Sequence, residues 1–169
     1  MTLSRTIAAA PLAVLLVACG GGAGNAGGDS AATTTPVATA TPSGGELLFQ
    51  QRCLSCHQAT GEGLPGTYPP LAGSEYVNAA DPGVPARILI HGISGPITVK
   101  GTEYNNLMPP YGVGVQMSDE EVAQLLTYVR SSFGNSASAV TAADVKKARD
   151  ETASHTGPMT VELLKPLMK

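Results

Sequence analysis

Cys53, Cys56 and His57 fall within five consecutive positions, "CLSCH". A C-x-x-C run of this kind can hold a metal, form a redox disulfide or attach a haem covalently. Structural zinc needs four ligands, usually from a second Cys/His pair at similar spacing. The only other cysteine is Cys19, and His91 and His155 stand singly and far along the chain. A redox pair belongs beside a βαβ pattern, which is missing around residue 53. Haem attachment needs this arrangement. Two thiols add to the two porphyrin vinyl groups as thioethers, and the imidazole that follows meets the iron from one face. One covalent haem c is therefore expected on Cys53 and Cys56, with His57 as an axial ligand.

A second axial ligand has to reach the opposite face from a distant loop. Met108, Met117, His91, Met159 and Met168 are the candidates. Met108 lies in "NNLMPPYG", where Pro109 and Pro110 restrict the backbone and reduce the freedom lost on holding a thioether in place. Met117 is better used as the hydrophobic staple of the helix that follows. His91 reads as a helix-end residue, and Met159 and Met168 lie in a tail without assigned structure. Met108 is the expected ligand. An iron with both axial positions filled by protein has no open site for a substrate, which points to electron transfer rather than catalysis. Seven Phe and Tyr and no Trp make a core short of aromatic bulk, as suits one filled by a porphyrin.

The elements that must position these groups are legible in outline. "GELLFQQRC" reads as a helix running into the motif. Residues 60–73, rich in Gly and Pro, read as an irregular loop. "VPARILIHG" is a short helix with Pro85 near its start and Gly92 at its stop. "ITVKGTEYN" is a small β-hairpin turning at Lys100-Gly101. In "MSDEEVAQLLTYVRSSFG", Ser118 and Glu121 fit a capping box and Met117 with Val122 a staple. Val122, Leu125, Leu126 and Val129 form its apolar stripe, and Gly134 is its expected stop. "TAADVKKARDE" reads as one more short helix. The expected class is all-α, about four helices around a covalent haem, with the hairpin before the Met108 loop.

Four regions follow. Residues 1–18 carry Arg5 and then an apolar run, which reads as an export signal. The run is short for a membrane span of about 20 residues. Its ending, "LVAC", resembles a bacterial lipobox, so Cys19 is the expected acylation site. Residues 19–43 hold almost no large apolar side chain and read as a flexible tether with a root-mean-square reach of about 28 Å. Residues 44–135 form the haem domain, and 136–169 a short helix and a tail of uncertain order. The expected location is the cell envelope, lipid-anchored to a membrane with the domain outside the cytoplasm.

In their order, "CLSCH", "PPLAG", "LMPP" and the terminal amphipathic helix resemble the class I c-type cytochromes. That resemblance implies that Gly45 and Phe49 pack the first helix across the last near Tyr128. It implies that a carbonyl at Pro69 or Pro70 accepts the His57 Nδ1 proton, and that Leu71 covers the haem. "YPPLAGSEYVNA" and "HGISGPITVKGTEYNNLMPP" are similar to cytochrome modules attached to copper nitrite reductases and quinone-cofactor dehydrogenases. Here a lipid signal and tether are expected in place of an enzyme domain, so any partner is expected to be a separate protein. The implied function is a membrane-tethered monohaem carrier of single electrons between redox proteins. The alternatives are a non-catalytic electron-transfer subunit of a dehydrogenase or reductase and, further off, a haem-based gas sensor. Net charge is −3 with no basic run, which excludes nucleic acid as a partner. Residues 44–134 carry eight acids against four bases. Docking is therefore expected on a small apolar rim with modest salt dependence. The Lys146, Lys147 and Arg149 cluster reads first as a solvated helix face.

Overall fold

The computed structural model describes residues 43–111 and 117–168. The expected export signal, Cys19 and the expected tether up to residue 42 lie outside the described residues. Helix α1 covers Gly44–Arg52, with Ser43 capping its start by accepting from the Glu46 amide. The single turn α2, Leu54–His57, follows directly. Helix α3 spans Gly83–His91 and ends on Gly92 at φ +73°. Strands β1, Ile97–Val99, and β2, Thr102–Tyr104, pair antiparallel across Lys100 and Gly101. Both turn residues take positive φ, the geometry that matches a tight hairpin to strand twist. Helix α4 is Asp119–Ser131, α5 is Ala142–Glu151 and α6 is Val161–Leu164, followed by a 3₁₀ turn at Lys165–Leu167.

The class is as expected: all-α with one hairpin. The described residues hold six helices rather than about four, because α2 and α6 are single turns below the reach of periodicity. The capping boxes at Ser118/Glu121 and Thr141/Asp144 are both formed, satisfying helix-terminal amides that would otherwise lack partners. Helix α4 stops at Ser131, three residues before the expected Gly134. The chain reverses through Phe133 and Gly134, both at positive φ.

Two buried clusters hold the fold. The first joins Phe49 of α1, Leu89 and Ile90 of α3, Val122, Leu125, Leu126 and Val129 of α4, and Val145 and Ala148 of α5. At its centre α1 crosses α4. A Cβ at Gly45 would overlap the Gln124 carbonyl oxygen and lie 2.9 Å from Tyr128 Cβ, so only glycine permits this approach. Phe49 then meets the Tyr128 ring at 5.7 Å and the Phe133 ring at 5.1 Å, within the range of favourable aromatic pairs. The second cluster gathers Tyr76, Val84, Ile93, Ile97, Val99, Tyr104, Met159 and Leu164.

That second cluster corrects the reading of the tail. Residues 152–168 are ordered: Met159 is 2% exposed and Leu164 fully buried. Their order comes from long-range partners, not local periodicity. The Met159 amide donates to Gly92 O at 2.9 Å and the Ser94 amide to Met159 O at 3.0 Å.

Candidate haem site

Cys53 caps α1, its amide donating to Phe49 O at 2.8 Å. The chain then makes the single turn α2, closed by the His57 amide on Cys53 O at 2.9 Å. This places His57, 8% exposed, on the inner side of the motif. Its Nδ1 is 3.1 Å from the carbonyl of Pro69. Of the two prolines left open by the sequence, Pro69 supplies this acceptor. In the tautomer protonated at Nδ1, that bond leaves the Nε2 lone pair free, as an axial ligand requires. The accepting loop is anchored in turn, since the amides of Leu71 and Ala72 both donate to Gly61 O, at 2.7 and 3.0 Å.

Met108 comes from the other side of the domain. Its amide donates to Ile93 O at 2.9 Å and its carbonyl accepts from the Ile93 amide at 3.1 Å. The side chain is half-buried and packs against both clusters. A cavity of about 610 Å³, including its open mouth, is lined by Cys53, His57, Pro69, Leu71 and Met108, and by Leu125, Leu126 and Val129 of α4. A second opening of about 440 Å³ shares Cys53, His57, Pro69 and Met108 and adds Cys56 and Tyr111. Together they outline one slot between the motif and the Met108 loop.

The electrostatics suit a flat apolar body. No Asp, Glu or Lys lines either opening, and the one charged residue is Arg52 at the outer mouth. Both thiols are free. Burial, helped by the neighbouring Cys56 and opposed by Arg52, pushes the Cys53 thiol up to about 12. Burial also lowers the His57 pKa, the Pro69 bond working against it. The imidazole is thus held neutral, the form that binds iron. Two free thiols, a neutral imidazole and a thioether around one apolar slot fit a covalent haem.

The other candidates stand elsewhere. Met117 is buried in the first cluster, and its carbonyl accepts from Arg149 Nη2 at 2.9 Å. His91 Nε2 meets Thr152 Oγ1 at 2.7 Å, and its ring lies edge-on to His155 at 5.1 Å. Met159 and Met168 belong to the second cluster. Lys146 pairs with Asp150, Lys147 with Glu151 and Arg149 with Asp119, so the basic cluster is matched within the domain.

Sequence reasoning missed two residues behind the slot. Asn135 Nδ2 donates to Leu71 O at 3.1 Å and Val129 O at 2.9 Å. Its Oδ1 accepts from the Gly73 amide and from Asn78 Nδ2, each at 2.8 Å. It ties the Leu71 loop to the end of α4. Arg130, 1% exposed, donates from Nη1 to the carbonyls of Val77 at 2.6 Å and Ala79 at 3.0 Å. An Asn after Gly and an Arg in a last helical turn are ordinary for those positions, and nothing local marks either residue.

The mouth of the slot carries little charge. Segments 53–61, 63–74 and 105–111 contain no Asp, Glu, Lys or Arg. Leu107, 59% exposed, lines the mouth. Leu54, 36% exposed, adjoins Cys53, and Leu64, 48% exposed, bridges to the lining residue Tyr68.

Helices α1 and α4 crossed behind an apolar slot, with CxxCH on one side and a methionine loop on the other, define a class I c-type cytochrome. The family model for cytochrome c matches residues 43–133, and the chain belongs to that family. It is 35% identical to cytochrome c-552 of Thermus thermophilus over 121 residues, 67% of this chain and 78% of that one. It is 32% identical to the cytochrome c subunit of a quinone alcohol dehydrogenase from Gluconacetobacter polyoxogenes, over 68% of this chain and 24% of that subunit. It is 35% identical to the fructose dehydrogenase cytochrome subunit of Gluconobacter japonicus, over 62% and 22%. The chain is thus a covalent haem c protein that transfers electrons and is not itself an enzyme.

Proposed function

We propose that this chain is a membrane-tethered monohaem carrier in the cell envelope, moving single electrons between separate redox proteins. The bound haem supplies a one-electron iron couple. Cys53 and Cys56 would hold it through thioethers, and His57 and Met108 would ligate its iron. Pro69 orients the imidazole, and Leu71 with the α4 stripe keeps water from the ring. The carrying observation is that His57 and Met108 line the same apolar slot as Cys53, each fixed by its own backbone partner. Redox titration of the visible spectrum of the purified holoprotein tests this. A single one-electron wave is expected, with a low-spin spectrum in both states. A high-spin ferrous form that binds carbon monoxide readily would instead favour a gas-binding role.

The tether rests on the sequence of residues 1–43. Cys19 follows the apolar run directly, and acyl chains there would anchor at about 0.8 kcal/mol per buried CH₂. Cys19→Ser is expected to move the holoprotein from the membrane to the soluble fraction without altering its spectrum. Retention in the membrane would show that Cys19 is not the attachment point. The partners are donor and acceptor proteins that meet the low-charge rim of Leu54, Leu64 and Leu107. The dehydrogenase cytochrome subunits among the relatives support a second reading, as a subunit of such a complex. Isolation of the native membrane complex separates the two.

A further inference from the structure

Ile93 is bonded on both edges. On one side it pairs antiparallel with Met108, and on the other it forms a parallel bridge with Met159. The bonds to Met108 run both ways, and the segment is held again by Met159 N on Gly92 O and Ser94 N on Met159 O. Gly92, at φ +73°, is the pivot. A Cβ there would overlap the Met108 carbonyl oxygen and lie 3.0 Å from Pro110 N. The hairpin between Ile93 and Met108 adds Ile97, Val99 and Tyr104 to the second cluster, whose other members include Met159 and Leu164. Met108 packs on that cluster. The tail therefore reaches the methionine loop indirectly by two routes, through the backbone of segment 92–94 and through the cluster on which Met108 packs.

We propose that residues 157–164, acting through Met159, are the positioning element for Met108 and set how firmly its thioether is held at the iron. This rests on the reading of Met108 as axial ligand. Without the tail, segment 92–94 would keep only its Met108 edge, and the cluster under the loop would lose its fully buried Leu164. The contacts of α5 do something separate. Glu151 pairs with Arg87 and Thr152 with His91, which fastens α5 to α3 but leaves the Ile93 edge to Met159. Met159 is a positioning residue here, not a ligand.

The test uses the full-length holoprotein. Met159→Ala removes side-chain packing from the cluster on which Met108 rests, while the thioethers at Cys53 and Cys56 stay. The sulfur-to-ferric-iron charge-transfer band is expected to weaken. Carbon monoxide should bind the ferrous form about tenfold better, the factor that ~1.4 kcal/mol sets. Met159→Leu should restore both. Thr127→Ala, which removes the hydroxyl bonded to the Val140 backbone and belongs to neither cluster, should lower the melting temperature and leave band and carbon monoxide affinity alone. If Met159→Ala melts lower but keeps the wild-type band and affinity, the tail is only a stabilising clamp and the proposal fails. A band that survives Met108→Ala would overturn the ligand assignment instead. Should Met159→Ala not accumulate, hydrogen exchange on the wild-type holoprotein decides. The amides of Met108, Ser94 and Met159 are expected to open together, and a Met159 amide exchanging far faster than that of Met108 would refute the coupling.

Discussion

Met108→Ala should yield a protein that still carries its haem but has a lower potential and no charge-transfer band. Attachment survives because the thioethers form at Cys53 and Cys56, across the slot from residue 108. The loop survives because its fastening is backbone: both Ile93 bonds use the main chain of residue 108 and are indifferent to the side chain. What disappears is a soft thioether donor, which favours the ferrous state and raises the potential. If that preference is about a hundredfold, its loss lowers the potential by ~120 mV, at ~59 mV per tenfold for one electron. The vacated position opens the ferrous iron to carbon monoxide. Potentiometry and carbon monoxide titration read this directly. A variant with an unchanged band and potential would mean that another side chain ligates the iron.

Gly45→Val is expected to be the most damaging substitution away from the slot. The new Cβ would overlap the backbone carbonyl of Gln124 and crowd Tyr128 Cβ at 2.9 Å. A helix backbone cannot swing aside, so α1 and α4 must part and the Phe49 contacts with Tyr128 and Phe133 loosen. Overpacking of this kind costs about 3 kcal/mol, a drop of roughly 10 °C in melting temperature for a domain of this size. Gly44 is the built-in control. A Cβ there would meet only the Oε1 end of the Gln124 side chain, which can rotate away. Gly44→Ala should therefore stay within about 1 kcal/mol of wild type. Thermal unfolding of the two oxidised holoproteins side by side decides it, and equal melting temperatures would show that the helix crossing is not tight.

The features legible in the sequence are those written in neighbouring residues. The CxxCH turn needs five positions, the capping box at Ser118 needs four, and the Lys100-Gly101 hairpin lies inside nine. Met108 stood out because prolines follow it in a loop, and Gly45 with Phe49 through family resemblance. What was missed depends on partners far along the chain. Asn135 matters because the Leu71 and Gly73 backbones end beside it, and Arg130 because two carbonyls of the 77–79 segment turn toward its guanidinium. Order in residues 152–168 is of the same kind. Periodicity could not find it, since Met159 and Leu164 are buried by segments some sixty residues earlier.

The bonding around the slot also bears on how quickly an electron can cross. A change of charge at the iron pulls on every nearby dipole, and each dipole that swings in response adds to the barrier. Here the dipoles have little room to swing. The His57 imidazole is held by Pro69 O, the 71–73 backbone by Gly61 O and Asn135, the 77–79 carbonyls by Arg130, and the Met108 peptide by Ile93 on both of its polar atoms. An environment oriented in advance costs little rearrangement at the moment of reaction. In this wall, side chains that would not touch the iron are expected to lower the nuclear reorganisation that accompanies each gain and loss of an electron.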